Sequence, residues 1–195
     1  MKHRRRVFLG AVLFLLIPAV ACPAQVPDAA RQIAEAVLPA PVELRDGAAV
    51  LGYDADEHLV TLREGSNDLI CLADRPGDER FHAACYHASL EPYMARGRAL
   101  SAEGIDSRES FRIRHEEADA GALPMPSEPA AVYNVAVALE NFNPKTATVT
   151  LFAVYIPYAT PATTGLSERP GPPGTPWIMR PGTASAHIMI VPPNP

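Results

Sequence analysis

The strongest constraint on this chain is a run of period-two hydrophobicity that begins after residue 130. Tyr133, Val135, Val137 and Leu139 alternate with smaller residues. Beyond a turn region at Glu140 to Lys145, Thr148, Thr150, Phe152, Val154 and Ile156 alternate with Val149, Leu151, Ala153 and Tyr155. Successive side chains of a strand point to opposite faces, so this spacing predicts the two strands of a hairpin and commits the chain to a β-sheet. Pro157 to Pro176 then holds six of the chain's 21 prolines and three of its 12 glycines. Proline removes a backbone donor and fixes φ, so this segment is expected to cross over as an ordered loop. Trp177 to Arg180 and Ala186 to Val191, on either side of Pro181-Gly182-Thr183, are expected to close the chain as a final hairpin.

Upstream, Ala48 to Tyr53, His58 to Arg63, Leu69 to Ala73 and Phe81 to His87 are short apolar or alternating runs separated by turn residues, which predicts a meander. Asp28 is the expected cap of a helix from Ala29 to Leu38, stopped by Pro39 and Pro41. Ser89 is the expected cap of a second helix reaching Glu103, with Pro92 in its first turn and Gly104 ending it. A third helix is expected over Ser107 to Ala120, with Asp106 and Glu109 spaced as a capping box and Gly121 closing it. The arginine-richer stretch Arg108 to Arg114 is interleaved with acids and predicts a solvated helix face. Together these elements predict an α+β fold: a single domain with a mainly antiparallel sheet, about three helices and a proline-rich crossover loop.

The N-terminus supplies an address. Lys2, Arg4, Arg5 and Arg6 precede an apolar run from Val7 to Ile17, and small residues follow around Cys22. Eleven apolar residues rise only about 16 Å as a helix, against a hydrocarbon core of about 30 Å, so residues 1–24 are expected to be a signal peptide. Residues 25–195 then form the exported chain, periplasmic or extracellular, with no transmembrane helix. Cleavage after Ala24 is the preferred reading. Cleavage after Ala21 is the alternative, because Ala19-Val20-Ala21-Cys22 is similar to the lipobox of bacterial lipoproteins and would leave Cys22 for lipidation.

Four of the 17 Lys and Arg fall in that leader and no acid does, which leaves 13 bases against 22 acids beyond it, a net of −9. Phosphate backbones are bound by clustered Lys and Arg, so nucleic acid is not expected as a partner. Export also bears on the cysteines. Cys71 and Cys85 are the thiols left in an oxidising compartment, and a disulfide is expected between them. A hairpin with Arg75 opposite Phe81 would place the two cysteines opposite each other on one face.

Common catalytic signatures are absent: G-x-S-x-G, H-E-x-x-H, C-x-x-C, the P-loop and G-x-G-x-x-G do not occur, and the segment starting at Asp54 fails the EF-hand pattern. Asp78, Glu79, His82, Cys85 and His87 are dense in ligand types, but His82 and His87 point to opposite faces of a strand and a disulfide removes the sulfur. Trp177, Met179, His187 and Met189 are all odd-numbered, so an even pairing sum in the final hairpin puts an imidazole and two thioethers on one face beside an indole. Such soft ligands suit Cu(I), and Met179, His187 and Met189 are the candidate metal ligands. In residue types, though not in order or spacing, the set is similar to those of periplasmic copper chaperones. The competing reading is core packing.

Tyr155, Tyr158 and Trp177 flank the proline-rich loop and are candidate ligand-binding aromatics, unless the loop simply covers a sheet edge. The leading expectation is a non-enzymatic binding or structural module that takes a small ligand or soft metal ion. An extracytoplasmic hydrolase without a recognisable motif is the alternative.

Overall fold

The computed structural model describes residues 26–193, so the expected signal peptide, both cleavage sites and Cys22 lie outside the described residues. In chain order the elements are α1 (Ala29–Ala36), β1 (Ala49–Tyr53), β2 (Leu59–Arg63), β3 (Leu69–Leu72), β4 (Arg80–His87), α2 (Glu91–Ala102) and α3 (Ser107–Asp119). There follow β5 (Ala130–Ala138), β6 (Leu151–Tyr155), the single turn α4 (Pro161–Thr164), β7 (Trp177–Met179) and β8 (His187–Ile190). The eight strands of the described residues join one sheet in the order β2-β1-β3-β4-β5-β6-β8-β7, antiparallel throughout except where β1 meets β3. The expected α+β class with a mainly antiparallel sheet is therefore observed, and α4 adds a helical turn to the three expected helices.

The sheet consists of four hairpins laid side by side, β1/β2, β3/β4, β5/β6 and β7/β8. This differs from the expected meander, in which β2 would lie next to β3. Instead β1 lies between them, parallel to β3. The residues explain the exchange: Val50 of β1 is fully buried, whereas β2 carries the more exposed Leu59 and Thr61 and the basic Arg63, side chains suited to a sheet edge. Two registers read from parity are observed. Cys71 lies opposite Cys85, and in the last hairpin Trp177 lies opposite Met189 and Met179 opposite His187. Cys71 and Cys85 form a disulfide.

Three local details differ from expectation. First, α1 ends at Ala36 rather than Leu38, in keeping with the restriction that Pro39 imposes on the residue before it. Second, α2 begins at Glu91 after a 3₁₀ turn over Ala88–Leu90. His87, rather than Ser89, caps that turn: its Nδ1 accepts from the Ser89 backbone N–H at 3.2 Å. Third, Asp106 caps α3 by accepting from the N–H groups of Arg108 and Glu109, but the Glu109 carboxylate is drawn onto Arg112, leaving the capping box half made.

The sheet carries a hydrophobic layer on each face. On one, α1 packs Ala36 and Val37 against Val50, Cys71 and Cys85. Gln32 anchors this helix, donating to the carbonyls of Pro27 and Tyr53 and accepting from the Tyr53 N–H, all at 2.8 Å. On the other face, Leu90 of the preceding turn with Tyr93 and Met94 of α2 cover Tyr86, Val132, Ala153 and Tyr155, and Ala118 of α3 packs in the same layer. The stretch expected to be a solvated helix face is divided. Arg112 is exposed and paired with Glu109 and Glu116, but Arg114 is buried, with its guanidinium 4.2 Å from the Tyr93 ring centroid and 4.8 Å from that of Phe111. Gly97 makes room for it, since a Cβ there would lie 2.8 Å from Arg114 Nη1.

The Pro157 to Pro176 segment crosses over as expected, and it covers an edge. The Ser167 carbonyl accepts from the Ile178 N–H at 2.9 Å, closing part of the outer side of β7. The capping box of Thr160 and Thr163 and the left-handed Gly165 order the single turn of α4 within it.

Candidate functional site

Where α2 and α3 lie over the sheet, they leave a half-open cleft of about 380 Å³. Its floor follows from the register. One cross-sheet row runs Tyr86, Val132, Ala153, Met189, and the next places Ala84 beside Asn134 and Leu151. The small side chains of Ala84 and Ala153 leave the hollow, and Met94 and Arg98 of α2 with Phe111 of α3 form the overhang. A cavity of this size, apolar with a few polar groups, is of the kind that takes small organic ligands.

The sequence-predicted residues divide between the cleft and its surroundings. Tyr155, Met179, His187 and Met189 all line it. Tyr155 is opposite His187 on β8, their rings stacked at 4.8 Å and 19°. Trp177 is buried and opposite Met189 in register, but it is outside the cleft lining. Tyr158 is also outside it, half exposed, with its hydroxyl donating to Asp119 Oδ1 at 3.0 Å.

His187 is buried, and its Nδ1–H donates to the Ser185 carbonyl at 2.7 Å, which leaves the lone pair on Nε2. The Tyr155 hydroxyl is pushed up to about 12, chiefly by burial, and so stays protonated. Tyr86 donates to Glu91 Oε2 at 2.6 Å and accepts from Arg98 Nη1 at 2.9 Å, and Arg98 Nη2 donates to Glu91 Oε1. His82 Nε2 donates to Asn134 Oδ1 at 3.3 Å. Of the dense run from Asp78 to His87, then, His82 reaches the cleft, Cys85 is in the disulfide and His87 serves as a cap.

Of the lining residues that sequence reasoning missed, Arg98 and Phe111 among them, Arg180 is the most informative. An even-numbered residue following Met179 belongs on the opposite face by alternation, yet both line the cleft. The backbone supplies the reason: at φ 53° Arg180 is in the left-handed region, which interrupts the strand and redirects the side chain. For a residue other than glycine this conformation costs on the order of 1–3 kcal/mol. Its guanidinium carbon lies 3.5 Å from the Phe111 ring centroid, and it forms no ion pair or side-chain hydrogen bond among the described residues.

Two further groupings of polar side chains lie outside the cleft lining. Ser185 and His115 share a hydrogen bond across 70 residues of sequence, but Ser185 is fully buried, and the contact ties α3 to the β7/β8 turn rather than facing a substrate. Asp54, Asp56 and His58 converge in the β1/β2 turn. There Asp54 Oδ1 accepts from the backbone N–H groups of Asp56 and His58, a local turn that accounts for their proximity.

Burial, reinforced by the charge of Arg180, holds both His115 and His187 below the ordinary imidazole range. The folded state thus favours neutral rings, while the unfolded chain takes up protons below about pH 6.5. This stabilisation is complete above that pH and is lost as pH falls through the lowered folded-state values. Urea midpoints are expected to drop between about pH 7 and pH 5, and His187→Gln should flatten the curve; a parent midpoint constant over that range would contradict the assignment.

Comparison with protein-family models, with curated proteins and with solved structures finds no match, so the function is argued from the geometry of the site itself. What the fold and site define is a mixed α+β sheet with a ligand-sized cleft beneath one helix pair.

Proposed function

We propose that this is an exported, non-enzymatic binding module whose ligand is a small, largely apolar molecule held in the cleft between α2, α3 and the sheet. The cleft carries the reading: its floor is hollowed by Ala84 and Ala153 and kept apolar by Leu72, Val132, Leu151 and Met189, with polar side chains set among them. The basic leader followed by an apolar run supports export, and the disulfide is in keeping with an oxidising compartment.

A neutral fluorescent probe such as N-phenylnaphthylamine is expected to bind the purified protein at one saturable site. Ala84→Trp, which places an indole on the partly buried floor, should weaken that binding about tenfold or more while the protein stays folded, at a stability cost of about 1–3 kcal/mol. Absence of saturable binding, or binding indifferent to Ala84→Trp, would reject the reading.

A soft cation is the second reading, favoured by one observation. His187 has its Nδ1 engaged by a backbone carbonyl, as metal-ligating imidazoles do, and shares the cleft with Met179 and Met189. Two guanidinium groups in the same cleft oppose it, because they disfavour a bound cation electrostatically. Anaerobic Cu(I) titration of the parent protein and His187→Ala decides the matter.

A further inference from the structure

We infer that the ligand of this cleft is an apolar carboxylate whose anionic group is received by Arg180. This rests on the cleft being a ligand site, as proposed above, and adds the chemistry of what enters it.

Charge within the cleft runs against that of the chain. Beyond the leader the protein carries 22 acids against 13 bases, yet among the described residues the charged side chains lining the cleft are Arg98 and Arg180, with no carboxylate beside them. The two guanidiniums differ in what they already hold. Arg98 is engaged by Glu91 at 2.6 Å and by the Tyr86 hydroxyl. Arg180 rests on the Phe111 ring with its donors unused by any described residue. A guanidinium is a planar fork that matches a carboxylate through two parallel hydrogen bonds, and stacking on an aromatic face leaves the edge of that fork open.

The backbone gives a second, independent indication. Regular continuation of β7 would carry residue 180 to the other face of the sheet, and a left-handed arginine is an uncommon conformation. Strained residues persist where surrounding structure holds them and gather at ligand sites, and here the strain turns the free cation into the apolar cleft. Tyr155 lines the cleft too, its ring stacked on His187 beside the apolar floor. One free guanidinium fits a single carboxylate. A phosphate would call for a larger set of free donors, whereas Arg98 is already engaged by Glu91 and Tyr86.

Isothermal titration of the parent protein with octanoate and octanamide tests this, because the two share a tail and differ in the charge of the head. Octanoate is expected to bind roughly ten- to a hundredfold more tightly. Arg180→Gln should bring the acid down to the amide, and Arg180→Lys should restore part of the difference. Equal binding of acid and amide would overturn the inference while leaving the cleft reading intact. Failure of both ligands and of the neutral probe would overturn the two together. A preference for the acid that survives Arg180→Gln would remove the assignment to Arg180. The comparison of acid with amide needs no variant, so it stands even if a substitution at 180 disturbs the turn.

Discussion

Replacing Cys71 and Cys85 together by alanine is expected to cost about 3 kcal/mol and to lower the melting temperature by roughly 6 to 12 °C. The cysteines are 14 residues apart in sequence and directly opposite in the β3/β4 register, so the bridge closes a loop of modest length in the unfolded chain. Both are fully buried against α1. Loss of the bridge should therefore be felt mainly in the denatured state, with a small cavity term added in the folded one. Calorimetry of the parent and the double variant at one pH checks this, and a drop under about 2 °C would show that the bridge does little to restrict the unfolded chain.

Tyr93→Ala is expected to be at least as damaging, about 3 to 5 kcal/mol, because Tyr93 is fully enclosed and joins α2 to both the sheet and α3. Its ring meets Tyr155 at 6.1 Å and lies under the Arg114 guanidinium. Tyr93→Phe should move the other way. The Tyr93 hydroxyl is buried with no hydrogen-bond partner among the described residues, and removing an unsatisfied polar group while keeping the ring is expected to gain about 1 kcal/mol. Urea unfolding of the two variants separates the contributions, and a loss in Tyr93→Phe would mean the hydroxyl is satisfied after all. Since Tyr93 supports the overhang above Tyr155, the alanine variant should also weaken ligand binding in the cleft.

Much of the sheet was legible in the sequence because strand parity is a strict rule. It puts Cys71 and Cys85 on one face of their hairpin and Met179, His187 and Met189 on one face of theirs, as the registers have them. The β1 to β3 parallel pairing was not legible, since the spacing of apolar residues identifies strands but not their neighbours. The cleft was only half legible. Its floor follows from alternation, whereas its overhang depends on how α2 and α3 are set against the sheet, which no local pattern in Met94, Arg98 or Phe111 reveals. Arg180 escaped because the rule that found its neighbours excludes it: a left-handed residue breaks parity, and the Arg180-Pro181-Gly182 turn gives only a faint sign of that.

The side-by-side arrangement of hairpins bears on how the molecule assembles and opens. Each hairpin joins strands adjacent in the chain and can zip locally, but the three seams between them, β1/β3, β4/β5 and β6/β8, bring distant segments together and must form later. The β4/β5 seam is the longest, running from Arg80 opposite Ala138 to Tyr86 opposite Val132, with α2 and α3 strung between its two strands. The cleft floor crosses this seam and the one between β6 and β8. A ligand of the proposed kind lying on it would straddle three separately formed hairpins, and its binding energy would hold the seams shut. Occupancy should thus slow amide exchange across the middle of the sheet as one cooperative unit, leaving β1 and β2 free to open on their own.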